Sequence, residues 1–269
     1  MNILHEIEKD NIQKNELIIY YLGQSGYVLK SKYCIVYIDP YLSDFIQNPN
    51  GLNDSYMTRN YLSPIEPKNI TKCDAILCTH SHVDHMDPWT INNINTGFNF
   101  YCSIGAYEKS SVNYPTSKTI FLEPGKKVFL DNFIIEAIPA AHYHLKDIHG
   151  RSDCLSFIIK YNDIRLFFWG DGIPYVGQET LLSELEFDYF FAPINGRDKH
   201  RESFGIVGNL NEYELANICK KIKIKNVIPN HFDMFKNNTG SQSIFLELLN
   251  KINPKQKVII LEYGEKFKA

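Results

Sequence analysis

The chain has 269 residues and a formal net charge of −3, and 44% of its residues are hydrophobic and 13% aromatic. This hydrophobic content is enough for a packed core, so the composition excludes an intrinsically disordered protein. No segment is dominated by Lys or Arg, so the charge pattern indicates neither a nucleic-acid groove nor binding to an anionic membrane surface.

The amino-terminal segment carries acidic residues and has no apolar stretch of the signal-peptide type. No apolar run approaches the roughly 20 residues of a membrane span, so we expect a cytoplasmic protein without a membrane partner. The six cysteines form no C-x-x-C pair, which favours buried free thiols over a disulfide framework or a cysteine-ligated zinc site. They are Cys34, Cys73, Cys78, Cys102, Cys154 and Cys219.

The first third of the chain alternates short β-branched and aromatic runs with turn residues. The runs at 16–23, 26–31 and 33–40 predict a strand meander. The segment 44–71 is rich in Asn, Pro, Ser and Tyr and has no sustained period. Long loops of this kind are commonly functional, so we interpret it as a candidate lid over a binding site. The side chains that suggest binding are Tyr56, Arg59 and Tyr61.

The rest of the chain reads as two further sets of strands and helices. Single strands are predicted at 74–80, 98–104, 118–122, 187–194, 225–232 and 257–263. The segment 126–142 is predicted to contain β structure, and 154–171 is predicted to form a hairpin that turns at Asn162 and Asp163. Helices are predicted from Pro88, from about Ala106, and at 179–186, 211–223 and 243–252. This order favours an α/β fold of four αββα layers, with two mixed sheets inside and helices on the outer faces, formed as a single domain over residues 1–269.

The sequence CTHSHVDHMD, at 78–87, places several ligand-type side chains between a predicted strand and a predicted helix. His80, His82, Asp84 and His85 share the spacing H-x-H-x-D-H. Imidazole and carboxylate groups this close together are typical ligands of a divalent metal. We favour this interpretation over a solvated histidine-rich turn. Four ligands on one turn cannot all reach one ion with good geometry, so further ligands are expected from elsewhere in the chain.

Three later positions supply such ligands. His142, Asp171 and His231 each follow an apolar strand, where the chain passes into a loop. Taken singly, each of them is more often structural than functional. Together with the turn they form a plausible set, in which His144 competes with His142.

The order of these motifs resembles the metallo-β-lactamase superfamily of metal-dependent hydrolases, from about Tyr20 onward. The segments YLGQSGYVLK, IDPYLSD, PINGR, GNLNEYELA and VIPNHFDMF are also similar to the branch that contains L-ascorbate-6-phosphate lactonase. Gly172 stands where the superfamily often has a hydroxyl residue after the Asp. The sequence therefore does not show which group holds that carboxylate in position.

The resemblance implies a two-metal centre. His80, His82 and His142 would bind one ion, Asp84, His85 and His231 would bind the second, and Asp171 would bridge the two. A hydroxide shared by two divalent ions forms near neutral pH, because coordination lowers the pKa of water. Asp84 is expected to orient this nucleophile or accept its proton, and Asp84 and His231 are the predicted catalytic residues. The ligand types suit Mn²⁺ or Zn²⁺, with Fe²⁺ as a further option.

A second polar cluster, PINGRDKHR at 193–201, is a candidate for binding an anionic small-molecule substrate. The guanidinium group of Arg is planar and can bind a carboxylate or phosphate through two hydrogen bonds. The alternative to substrate binding is an exposed loop in which Arg197 pairs with an acidic side chain. The predicted substrate-binding residues are Asn195, Arg197, Lys199 and His200. Two further residues are predicted to support the metal ligands: Asp39 could orient a ligand histidine, and Gln24 is the weaker candidate.

We therefore expect a metal-dependent hydrolase, most simply a lactonase that acts on a phosphorylated sugar acid such as L-ascorbate 6-phosphate. A phosphodiesterase or nuclease of the same superfamily is the first alternative, although no basic stripe for a nucleic-acid backbone is present. A non-catalytic metal-binding sensor is the second alternative. The sequence leaves homo-oligomer formation open.

Overall fold

The computed structural model describes residues 3–46, 57–110, 114, 118–142 and 144–269. Two seven-stranded sheets form the centre of the fold. The first sheet has the strand order β14-β1-β2-β3-β4-β5-β6. Its strands are β1 Ile18–Gly23, β2 Gly26–Lys30, β3 Ile35–Ile38, β4 Ala75–Leu77, β5 Asn99–Cys102, β6 Thr119–Phe121 and β14 Lys266–Lys268. Pairing is antiparallel from β14 to β3 and parallel from β3 to β6.

The second sheet has the strand order β13-β12-β11-β10-β9-β8-β7. Its strands are β7 Lys127–Leu130, β8 Phe133–Pro139, β9 Leu155–Tyr161, β10 Ile164–Phe168, β11 Glu186–Pro193, β12 Lys223–Asn230 and β13 Lys257–Val258. It is antiparallel from β7 to β10 and parallel from β10 to β13. Both sheets are therefore mixed, as the sequence predicted.

The helices within the described ranges pack outside the two sheets. They are α1 Ile3–Lys9, α2 Pro88–Asn93, α3 Ile104–Lys109, α4 Gln178–Ser183, α5 Lys199–Ser203, α6 Glu212–Lys221 and α7 Gln242–Ile252, with a 3-10 turn at Pro67–Asn69. Helices α1, α2 and α3 bury apolar side chains against the first sheet. Helices α4, α6 and α7 do the same against the second sheet. The four-layer αββα prediction is confirmed.

The main core lies between the sheets. Side chains alternate in direction along a strand, so Ile19 and Tyr21 of β1 face this core while Tyr20 and Leu22 face the outer helices. From the second sheet, Phe168 stacks on Phe191 at a centroid distance of 4.3 Å. Because both faces of the central strands are buried, the sheets are held rigidly, and the loops at their edges have a fixed base.

Four elements differ from the sequence prediction, namely β13, β14, α1 and α5. Only Lys257–Val258 of the predicted strand 257–263 pairs in the second sheet. The chain then crosses to the first sheet, where β14 pairs with β1. Helices α1 and α5 were not predicted from the sequence; short helices depend on tertiary packing more than on their own propensity.

Several smaller expectations can also be compared with the structure. All six cysteines are buried free thiols, as expected. Within the described residues no helix has both the length and the apolar character that a membrane crossing requires. Of the candidate lid, residues 47–56 with Tyr56 lie outside the described residues. Arg59 is buried over the Tyr41 ring, and Tyr61 donates a hydrogen bond to Asp233 Oδ1. The lid stays a prediction.

Candidate metal centre

The histidine-rich turn follows β4 and leads into α2. Asp87 caps the helix, because its side chain accepts a hydrogen bond from the Trp89 amide at 3.0 Å. Pro88 occupies the first turn, where its missing N–H costs nothing. The Met86 amide donates to the His82 carbonyl at 2.8 Å, which tightens the turn. This local structure holds the four ligand-type side chains of the turn at one edge of the first sheet.

Seven side chains converge at this edge in two groups. One group contains His80, His82, His142 and Asp171, and the other contains Asp84, His85 and His231. Within each group, the potential ligand atoms lie within 4.8 Å of one another. His142, Asp171 and His231 follow β8, β10 and β12 respectively, so the second sheet delivers its ligands to the turn of the first.

Asp171 lies between the two groups. Its Oδ1 is 3.2 Å from His85 Nε2, and its Oδ2 is 3.3 Å from His231 Nε2 and 3.9 Å from His142 Nε2. Both oxygens thus approach histidines of the second group, and Oδ2 also approaches His142 of the first, so a single carboxylate reaches both groups. His144 belongs to neither group, so His142 is the histidine of this segment that joins the cluster.

The electrostatics of the cluster fit a cationic occupant. Burial opposes charge on His85, yet the carboxylates of Asp171, Asp84 and Asp39 raise its pKa well above the usual value. The same competition with Asp171 and Asp84 raises the pKa of His231 to about 9. Although burial opposes ionisation of Asp84 and Asp171, the two histidines lower the pKa of both carboxyl groups. Buried carboxylates this close together require positive charge nearby.

The other three histidines are held in the neutral form that binds a metal, whereas His85 and His231 would release their protons when an ion binds. Burial lowers the pKa of His80 and His82, and it lowers the pKa of His142 to about 4. Within the described part of the chain, the buried His80 Nε2 has no hydrogen-bond partner. An imidazole nitrogen without a partner is costly in a dry site, and a metal ion would satisfy it. The donor set of imidazoles and carboxylates suits Zn²⁺, Mn²⁺ or Fe²⁺.

Asp39 fixes one of the histidines from behind. Its Oδ1 accepts a hydrogen bond from the Thr79 amide at 2.7 Å, and its Oδ2 accepts bonds from Thr79 Oγ1 at 2.7 Å and His85 Nδ1 at 2.8 Å. The second nitrogen of His85 then points toward Asp171. The orienting role that the sequence suggested for Asp39 therefore has the required geometry.

A sequence profile of the beta-lactamase superfamily domain matches residues 35–232, which is most of the chain. The chain belongs to the metallo-β-lactamase superfamily. Among its relatives, a UPF0173 metal-dependent hydrolase from Pyrococcus horikoshii is 26% identical over 220 residues, which cover 81% of this chain and 91% of the relative. The protein is accordingly a metal-dependent hydrolase of this superfamily.

Solved structures share the fold of this chain at low identity. A metallo hydrolase from Ignicoccus hospitalis aligns with a TM-score of 0.67 and 20% identity, over 94% of this chain and 98% of that one. An isothiocyanate hydrolase from Delia radicum gut bacteria aligns with a TM-score of 0.71 and 14% identity, over 93% and 98% of the two chains. At this identity the likeness concerns the fold alone.

In this member of the superfamily, a close approach explains the glycine after Asp171. Gly172 has φ +139°, and a Cβ there would lie 2.5 Å from the carbonyl oxygen of Ala141. Its amide donates to Asn209 Oδ1 at 2.8 Å. Asn209 thus supports the loop that carries Asp171 from outside, and a side chain at 172 would push away the segment that carries His142.

Gly172→Ala is therefore expected to lower the free energy of unfolding by about 2–3 kcal/mol and to reduce the metal content. The matched control is Gly125→Ala, because Gly125 also has a positive φ, of +88°, but open space around its Cβ position. In the control, the free energy of unfolding is expected to fall by about 1 kcal/mol, and the metal content is expected to stay unchanged. Chemical unfolding and elemental analysis of both variants test this, and equal effects in the two variants would refute the steric explanation.

The residues predicted to bind substrate lie elsewhere. Arg197 forms a two-pronged ion pair with Glu214, at 2.6 and 2.8 Å, which is the alternative that the sequence left open. Asn195 is buried and donates to Asn238 Oδ1. Lys199 and His200 are exposed in α5. Within the described chain, none of the four lines the pocket beside the metal ligands. Their role in substrate binding stays a prediction.

This site pocket has a volume of about 280 Å³ and opens onto both ligand groups. It is lined by Ile46, Met57, Ser81, His82, Val83, Asp84, Asp171, Gly205, Ile206, Val207, His231 and Asn238. Sequence reasoning missed Ile206 and Val207, which follow α5 in a segment with no regular structure. An apolar pair in a glycine-flanked loop was the available signal.

Proposed function

We propose that the protein is a hydrolase that opens a lactone or another small ester of low charge, with the help of two divalent ions held by the seven side chains. The observation that carries this proposal is the position of Asp171, whose Oδ2 lies 3.3 Å from His231 Nε2 of the second group and 3.9 Å from His142 Nε2 of the first. Divalent ions held there supply Lewis acidity, which lowers the pKa of water and polarises an acyl oxygen. The similarity to the lactonase branch supports the choice of ester.

The chain's own residues would position the reaction. Asp84 and His231 both line the site pocket, and Asp84 Oδ2 lies 3.3 Å from His231 Nε2. A carboxylate in this place accepts a proton from an attacking water, and the neighbouring imidazole holds that carboxylate in position. The apolar lining residues Val83, Ile206 and Val207 would limit the access of bulk water.

The lining of the pocket favours a substrate without a phosphate group. Within the described chain, no Lys or Arg lines the pocket, and the residues outside the described ranges include no Lys or Arg. Phosphate recognition normally uses such cations or a helix amino terminus. A volume of about 280 Å³ is at the lower end for ligand pockets. We therefore place a small neutral lactone or ester ahead of L-ascorbate 6-phosphate.

A substrate panel tests the proposal. Protein stripped of metal and then reloaded with Mn²⁺ or Zn²⁺ is assayed with neutral lactones, simple esters, L-ascorbate 6-phosphate and bis-(p-nitrophenyl) phosphate. We expect hydrolysis of a neutral lactone or ester. Activity on the phosphodiester alone would favour the nuclease-type alternative, and metal binding without any turnover would favour the sensor. An isothiocyanate belongs in the panel, because one structural neighbour is named for that reaction.

His82→Ala provides the matched negative control for the panel. His82 lines the pocket and belongs to the first ligand group. Loss of a group that merely supports a ligand costs about 10- to 100-fold in activity, so removal of a ligand is expected to cost at least about 100-fold. Metal content should fall as well. Wild-type activity and metal content in His82→Ala would refute the proposed metal centre.

A further inference from the structure

Gln24 lies at the tip of the β1–β2 hairpin, which inserts into the metal centre. The residue is fully buried. Its side-chain nitrogen lies 2.8 Å from Asp84 Oδ2 and 2.9 Å from His231 Nε2. These atoms belong to two of the three residues of the second group, so the amide end of Gln24 touches the place where an ion would be held.

The spacing of these three atoms matches neighbouring ligands of a single ion. About an ion with ligand bonds of roughly 2.1 Å, adjacent ligand atoms lie about 3.0 Å apart in octahedral geometry and about 3.4 Å apart in tetrahedral geometry. The separations here are 2.8, 2.9 and, between Asp84 Oδ2 and His231 Nε2, 3.3 Å. Gln24 thus forms the third corner of a triangle with two predicted ligands.

The amide also carries an oxygen with nothing to bind. Among the described residues, Gln24 Oε1 is buried and has no hydrogen-bond partner. A rotation of 180° about the last side-chain bond exchanges the nitrogen and the oxygen without moving the rest of the residue. The oxygen would then occupy the corner of the triangle, and a cation would satisfy it.

The backbone of Gln24 has an unusual, left-handed conformation. Its φ is +55°, in the left-handed region, which is costly for a residue with a side chain and is common where a functional group is held in place. The Gln24 carbonyl accepts hydrogen bonds from the His231 amide and from the Tyr21 hydroxyl, both at 3.0 Å. The hairpin tip and the His231 loop are therefore positioned together.

We propose that Gln24 Oε1 is a further ligand of the ion bound by Asp84, His85 and His231. This inference rests on the proposed two-ion centre. It makes the two sites chemically unequal, since the first group offers three imidazoles and a carboxylate, whereas the second gains a neutral hard oxygen. Carbonyl and carboxylate oxygens favour Mn²⁺ over softer ions, so the second site is expected to be the more selective for Mn²⁺.

The test is metal binding by the full chain, measured by calorimetric titration of stripped protein with Mn²⁺ and by elemental analysis. Wild type is expected to bind two ions. Gln24→Met, which keeps the length and removes the oxygen, is expected to weaken one of the two binding steps by at least about tenfold and leave the other unchanged. Gln178→Met, at another buried glutamine on α4, is the matched control and should bind both ions normally.

Gln24→Glu distinguishes coordination from hydrogen bonding. A carboxylate can coordinate but cannot donate, so coordination predicts that Gln24→Glu keeps or strengthens the weakened step. If Gln24→Glu loses the second ion as Gln24→Met does, or if Gln24→Met binds both ions with wild-type affinity, the assignment of Gln24 as a ligand is overturned. If wild type itself binds fewer than two ions, the two-ion centre fails first, and the inference falls with it.

Discussion

Asp171→Asn is expected to reduce hydrolysis by about three orders of magnitude and to lower the metal content below two ions per chain. The substitution keeps the shape of the side chain but replaces one oxygen with an N–H donor. That donor would face His85 Nε2 or His231 Nε2, at 3.2 and 3.3 Å from the present oxygens. Loss of a residue that only hydrogen-bonds to a metal ligand already lowers metal affinity or activity by about 10- to 100-fold. Loss of a carboxylate that serves both groups should cost more.

The measurement is kcat/KM on the best substrate of the panel, together with elemental analysis of the purified variant. Asp188→Asn is the matched control, because Asp188 is a partly buried aspartate near the start of β11, where it accepts hydrogen bonds from Lys225 and the Arg165 amide. The control should keep its metal and its activity. An Asp171→Asn protein with two ions and near-normal turnover would show that this carboxylate is not shared between them.

Asp39→Ala is expected to lower the free energy of unfolding by about 3–5 kcal/mol, which is the range for breaking a buried charged pair. The side chain is buried and accepts three hydrogen bonds, so its removal leaves the Thr79 amide, the Thr79 hydroxyl and His85 Nδ1 without their acceptor. The affinity for the ion beside His85 should also fall, by about 10- to 100-fold. Urea unfolding in chelator measures the first effect, and titration with Mn²⁺ the second.

Asp39→Asn is the informative comparison for this site. It preserves the volume and an acceptor for the Thr79 amide, so we expect a smaller loss of stability than in Asp39→Ala. It replaces the carboxylate that faces His85 with a neutral group, so the loss of metal affinity should persist. If Asp39→Ala unfolds within about 1 kcal/mol of wild type, the three bonds do not have the importance that their geometry indicates.

Much of the fold, and the residues of the side-chain cluster, could be predicted from the sequence, because both depend on local patterns. The strands appear in the sequence as runs of β-branched and other apolar residues, and the side chains of the cluster follow directly after those runs. The spacing in the turn at 80–85 is dense enough to indicate a metal site by itself. His142, Asp171 and His231 could be added because each stands directly after an apolar run, and they meet at one edge because β8, β10 and β12 run in the same direction.

The features that the sequence did not indicate depend on contacts between distant segments. Strand β14, near the end of the described chain, pairs with β1, near its beginning. No local periodicity in the sequence indicates this pairing. The sequence left open whether Arg197 meets a substrate anion or an acid, and it did not identify the acid, because Glu214 lies on a later helix. The apolar lining residues Ile206 and Val207 become visible only when their loop is placed over the ligands.

The way in which the ligands are distributed has a mechanical consequence. Each group takes residues from the turn after β4 and from loops of the second sheet, and the positions from His80 to His231 span more than half of the chain. A bound ion would therefore act as a reversible cross-link between the two sheets. Cross-links that close long loops restrict the unfolded chain most, and an ion that binds only the folded form adds its binding free energy to stability. Metal supply would then set how long the protein survives heating or proteolysis, quite apart from whether it turns over substrate.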